Sequence, residues 1–102
     1  MNVYQRCLKK LEQLEQMTVI TKNKALGKKL LADLIEELGF KAVAQAIRDG
    51  EKPKENALYA IRIWARGAKL VDEKGNDVTP PGRYEFYKRY AAILRRMVDQ
   101  IL

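Results

Sequence analysis

Residues 24–40 read KALGKKLLADLIEELGF. Leu26, Leu30, Leu31, Leu34, Ile35 and Leu38 recur at the three- and four-residue spacings of one helix face, and together they form a wide apolar surface. Gly39 follows at the C′ position that stops a helix, and Phe40 is placed to fold back as its hydrophobic partner. Thr21 or Asn23 can cap the start. So wide an apolar face on a single helix must be buried against other elements. The flanking sequence supplies more helices.

On the C-terminal side, a short helix is expected over about Lys41 to Arg48, burying Phe40, Val43, Ala44 and Ile47, with Asp49-Gly50 ending it. The polar loop 50–54 leads to a helix of about Lys54 to Ala68. Its expected inner face carries Ala57, Leu58, Ile61, Trp64, Ala65 and Ala68, with Tyr59, Arg62, Ile63, Arg66 and Lys69 toward the other side. Residues 69–79 change character. Lys69-Leu70-Val71 and Asp77-Val78-Thr79 are β-capable pieces around Asp72–Asn76, so a small hairpin and an irregular loop are both open. After Pro80-Pro81-Gly82, the last helix runs from about Arg83 to Ile101. It carries two apolar rows. Tyr84, Tyr87, Ala91, Leu94, Val98 and Ile101 follow a heptad spacing, and Phe86, Tyr90, Ile93 and Met97 lie alongside. Two rows imply contact on two sides, one of them available to a second subunit.

On the N-terminal side, Tyr4, Cys7, Leu11 and Leu14 make a narrow stripe, widened by Leu8, on a helix of about Val3 to Gln16. The β-branched run Met17–Thr21 reads as a connector. The expected fold is therefore an all-α, or mostly α, compact bundle of about five helices in a single domain over residues 1–102. Its parts are an N-terminal helix (3–16), a three-helix core (24–68), the possible hairpin (69–79) and a C-terminal helix (83–101).

Composition narrows the function classes. The chain has no histidine and no serine, which removes the usual general base near neutral pH and every serine nucleophile. A single cysteine, Cys7, allows neither an intrachain disulfide nor a cysteine-rich zinc site. The six glycines fall into no phosphate-cradling spacing. The expectation is a protein that is not an enzyme and uses no cofactor and no metal. With charges throughout the first sixteen residues and no long apolar run, a cytoplasmic protein without membrane association is expected.

The net charge is +7, unevenly spread. Residues 1–31 hold seven Lys/Arg against two acids, residues 32–55 four against six, and residues 56–102 nine against five. Such a basic–acidic–basic layout attracts polyanions. Three groups of cations are the candidate nucleic-acid contacts: Lys22, Lys24, Lys28 and Lys29; Arg62, Arg66 and Lys69; and Lys88, Arg89, Arg95 and Arg96. If they converge, they make a phosphate-binding face with a steep salt dependence. If they scatter, each is a solvated helix side. The run Arg83–Tyr90 also interleaves four aromatics with cations, as a base-stacking platform does, although its spacing fits helix core better.

The order helix, short helix, loop, helix, hairpin over residues 24–79 resembles a winged helix-turn-helix. The resemblance makes Ala42–Arg48 the positioning helix, Lys54–Gly67 the recognition helix and 69–79 the wing. It places Lys54, Asn56, Tyr59, Arg62 and Arg66 near DNA, with Lys74 at the wing tip. The turn Asp49–Lys52 is longer than that family's usual turn. In size, basic helices and the run LIEELGFKAVAQAI (34–47), the chain is also slightly similar to the small helical subunit of a CRISPR effector complex. The leading expectation is a small basic DNA- or RNA-binding protein, regulatory or architectural, making mainly phosphate contacts. The alternative is a helical protein–protein interaction module or assembly subunit, such as a nucleoprotein coat. A homo-oligomer would pair through Tyr84, Tyr87, Leu94, Val98 and Ile101.

Overall fold

A computed structural model describes residues 1–16, 24–100 and 102. The chain is all-α, with helices α1 (Val3–Glu15), α2 (Lys24–Glu37), α3 (Lys41–Arg48), α4 (Glu55–Arg66) and α5 (Arg83–Gln100). The connector Met17–Thr21, the cap candidates Thr21 and Asn23, the cation Lys22 and the apolar Ile101 lie outside the described residues.

Local chemistry sets the helix ends. Asn2 and Gln5 form a reciprocal capping box at the start of α1: each side-chain oxygen accepts the other's backbone N–H at 3.0 Å. At the end of α2, Gly39 takes φ +100°. The Phe40 N–H then reaches the Ile35 carbonyl at 3.2 Å and the Gly39 N–H reaches that of Glu36 at 2.9 Å. This double closure is the Schellman motif that Gly39-Phe40 implies. The same closure ends α3, where Gly50 and Glu51 donate to Ile47 and Ala46.

The helices pack in sequence α3–α2–α1–α5–α4, each mainly against its neighbour in that order. The core is their shared interior. Tyr4, Cys7, Leu11 and Leu14 of α1 meet Leu31, Leu34 and Ile35 of α2, and Phe86, Tyr90, Ile93 and Met97 of α5. Leu58, Ile61 and Ala65 hold α4 to this core, and Ala44 and Ile47 hold α3. Truncating one of the fully buried leucines to alanine would cost about 2–5 kcal/mol.

One open choice is resolved, on α5, and two expectations need correction, on α2 and α4. On α5 the inner row is Phe86, Tyr90, Ile93 and Met97, joined by Leu94, whereas Tyr84 is exposed and Tyr87, Ala91 and Val98 are half-buried. On α2, Leu26 is exposed, because the wide apolar face outruns the neighbours that cover it. On α4, Trp64 is 45% exposed and Ala68 lies beyond the helix, in the open. Trp64 still packs, with its ring edge-on to Phe40 (5.4 Å between centroids) and stacked on Tyr4 (6.1 Å).

Residues 69–79 form a turn closed by one antiparallel bridge between Val71 and Asp77, and the described residues contain no strand. Backbone bonds, from the Val78 N–H to the Leu70 carbonyl and from the Asp72 N–H to that of Asn76, share the closing with side chains. The Asp72 carboxylate accepts from the backbone N–H groups of Lys74 and Asn76 at 2.9 Å, and Thr79 accepts from the Leu70 N–H at 3.0 Å. The bond from the Asn76 backbone foremost, with those from the Asn76 side chain and the Lys74 backbone, holds the Asp72 carboxyl below its ordinary range. With apolar Leu70, Val71 and Val78 all exposed, nothing covers the turn to support a longer ladder.

Candidate nucleic-acid interface

The eight arginines divide into two sets of four. The first set holds the fold together. Arg6 of α1 pairs with Glu37 of α2, which Lys10 also approaches at 3.8 Å. Arg48 of α3 reaches Asp33 and Glu36 of α2, each at 2.9 Å, and its hydrogen bond holds the Glu36 carboxyl below the usual range. Arg89 of α5 pairs with Glu15 of α1, and lies 3.1 Å from Glu85 and 3.8 Å from Glu12.

Arg83, the fourth of this set, is buried. Its Nε donates to the Ala65 carbonyl at 3.1 Å and its Nη1 to that of Ala68 at 3.2 Å. It thus satisfies carbonyls left open at the end of α4, where a cation also suits the helix dipole. Gly67 makes the room: a Cβ there would lie 1.5 Å from Arg83 Nη2.

The second set is Arg62, Arg66, Arg95 and Arg96, all on α4 or α5. Among the described residues none of these four forms an ion pair. The contrast extends to whole interfaces. Ion pairs cross α1–α2, α2–α3 and α1–α5, yet among the described residues none crosses α4–α5. There the cations lie over tyrosine rings instead. Arg62 is 5.4 Å from the Tyr59 ring centre and 5.9 Å from that of Tyr87, and Arg66 is 5.9 Å from Tyr87. Such stacking orients a guanidinium and leaves its positive charge uncompensated. The Arg62 Nε is also buried without a hydrogen-bond acceptor among the described residues, an arrangement that does not favour stability.

Arg62 and Tyr59 border a groove between α4 and α5. Leu58, Ala91, Leu94 and Val98 provide apolar lining, and Tyr59, Arg62, Arg95 and Asp99 provide polar lining. The groove is shallow, with a volume of about 150 Å³, below that of clefts that enclose drug-sized ligands. Arg62 and Arg95 recur in a second, adjoining depression with Ala91 and Ala92.

The candidate cations therefore do not share one face. Arg62 and Arg95 line the α4–α5 groove, and Arg66 lies one helical turn beyond Arg62, over the Tyr87 ring. Lys88 lies two turns before Arg95 on the same side of α5, and Arg96 is turned about 100° away. Lys28 and Lys29 line a different opening, between α2 and α3, beside Arg48 and Asp33. Lys24 is exposed at the start of α2. Lys69 pairs with Asp77 at 3.6 Å, and Arg89 is occupied by its three carboxylates. Tyr59, which the winged-helix resemblance places near DNA, and Tyr87 belong with Arg62 and Arg66, although charge patterning selects neither tyrosine. The i, i+3 spacing of Tyr59 and Arg62 was the available signal.

Comparison with family models, with curated proteins and with solved structures gave no match. Any functional reading of this chain rests on its own geometry. No helix among the described residues is long and apolar enough to cross a membrane. Nor do the described residues contain a group of three or more His, Cys, Asp or Glu side chains able to hold a metal ion.

Proposed function

We propose that this protein binds nucleic acid, without catalysis, by setting the arginines of α4 and α5 against phosphate. The observation that carries the reading is the division of the arginines. Those that stabilise the fold are paired with carboxylates or carbonyls, while Arg62 and Arg95 line one groove, with Arg66 one helical turn from Arg62, and none of the three forms an ion pair among the described residues. A cation cluster left unneutralised on a protein of net charge +7 is suited to a polyanion.

This reading moves the contact surface away from a lone recognition helix. In a helix-turn-helix, a positioning helix and a recognition helix form one unit joined by a short turn. Here α3 packs chiefly on α2, α4 packs chiefly on α5, and six residues separate α3 from α4. The α4–α5 pair is the better-supported unit.

The second reading, an assembly or interaction subunit, is favoured by one feature. Leu70, Val71 and Val78 stand exposed on the 69–79 turn, and Tyr84 follows just beyond it. Against the heptad-mediated oligomer stands the burial of Leu94 and the partial burial of Tyr87 and Val98 within the chain's own packing.

The test is fluorescence-anisotropy titration of nucleic-acid-free protein against labelled duplex DNA, single-stranded DNA and RNA at low and high salt. Binding that weakens steeply with salt is expected for at least one of the three. Absence of binding to all three at low salt would refute the reading and direct attention to the 69–79 turn as a protein-binding surface.

A further inference from the structure

We infer that the α4–α5 groove is built for a single strand in preference to a duplex, taking a base on its apolar lining while the arginines hold the adjoining phosphates. This rests on the nucleic-acid reading above and specifies its ligand.

The argument begins with shape and chemistry. A duplex presents a convex rail of phosphates, with its base faces stacked inside and out of reach. A cleft lined by Leu58, Ala91, Leu94 and Val98 gains nothing from phosphates held over it. An unstacked base, by contrast, can lay an apolar face against such a lining. Tyr59 stands at the same groove, 52% exposed, as a ring on which a base can stack.

Asp99 is the second observation. It is the one acidic side chain that lines this groove, and among the described residues it forms no ion pair. Beside a phosphate it would repel. Beside a base edge it accepts from the exocyclic amino groups of cytosine, adenine or guanine, which thymine and uracil lack. A groove holding two cations, a stacking ring, an apolar lining and one carboxylate outside any ion pair among the described residues therefore matches the separate parts of a single strand: phosphate, base face and base edge.

The experiment compares oligonucleotides of equal length at one salt concentration: a cytosine-rich DNA strand, a thymine-rich DNA strand, an RNA strand with the cytosine-rich sequence, and a DNA duplex. Wild-type protein and the Tyr59→Ala and Asp99→Ala variants are used, each checked for its folded helical signal. Wild type should bind the cytosine-rich strand about tenfold more tightly than duplex. Tyr59→Ala should weaken single-strand binding by about tenfold and duplex binding by clearly less. Asp99→Ala should abolish the preference for cytosine over thymine, and the RNA arm tells which sugar the groove favours. Duplex binding equal to or tighter than single-strand binding would overturn the inference while leaving the phosphate reading intact. A single-strand preference indifferent to Tyr59→Ala would overturn the groove as its location. No binding of any strand at low salt would overturn both readings.

Discussion

Arg83 and Gly67 show how one pair of residues can fix the end of a helix. The guanidinium is buried against the Ala65 and Ala68 carbonyls, in space that a side chain at position 67 would occupy. Arg83→Met keeps most of the apolar stem and removes both hydrogen bonds, so a loss of about 2 kcal/mol is expected. Gly67→Ala should cost at least as much by displacing the same guanidinium. Urea denaturation followed by the fluorescence of Trp64, the chain's one tryptophan, measures both. Tyr90 makes the opposite case. Its hydroxyl is buried with no hydrogen-bond partner among the described residues, and burial pushes its pKa up. Tyr90→Phe should therefore be neutral or stabilising, by up to about 1 kcal/mol in the same assay.

Cys7 adds a pH dependence at this scale. Burial, with a smaller contribution from Glu37, pushes its thiol from the ordinary 9.0 up to about 12. The unfolded chain thus releases this proton first. Above pH 9 the folded state binds more protons than the unfolded one, and stability falls as pH rises toward 12. One group contributes a slope of at most about 1.4 kcal/mol per pH unit. Cys7→Ala should flatten the decline between pH 9 and pH 10, and an unchanged slope would assign it to other groups. The buried, protonated thiol is an apolar core element with little nucleophilic character.

Among the elements, α4–α5 differs from its neighbours in what joins it. Arg89→Gln severs the α5–α1 pairs and should destabilise by about 1 kcal/mol, as expected for a partly exposed network. Arg62→Gln, Arg66→Gln and Arg95→Gln break no ion pair among the described residues, so each should leave stability within about 1 kcal/mol of wild type. Much at this scale was legible in the sequence. The α1 stripe and the Gly39-Phe40 stop depend on contacts within one helix turn, and spacing alone reveals them. The choice between the two apolar rows of α5 was not legible, because both have helical spacing and only the packing of α1 and α4 selects Phe86, Tyr90, Ile93 and Met97. Trp64 misled for a related reason: it touches Phe40 and Tyr4 with one part of its ring system and leaves the rest to solvent.

For the whole molecule, net charge said that the surface is basic, but not where that charge is free. Arg89 and Glu15 are separated by 74 residues and Arg6 and Glu37 by 31, so no local pattern announces that these cations are already neutralised. Subtracting such pairs leaves Arg62 and Arg95 at one groove, with Arg66 one turn away on α4. The same subtraction sets Arg89 and Lys69 aside and leaves Lys28 and Lys29 at a separate opening. The account therefore makes a claim about location as well as about ligand. It is tested most directly by the salt dependence of nucleic-acid affinity for wild type, the triple variant Arg62→Gln/Arg66→Gln/Arg95→Gln, and the control Lys28→Gln/Lys29→Gln. If the groove holds phosphate, the triple variant should bind at least about tenfold more weakly and lose about two to three from the slope of log K against log salt. The control should stay close to wild type. Equal losses in the triple variant and the control would mean that charge acts without a site, and would contradict the account.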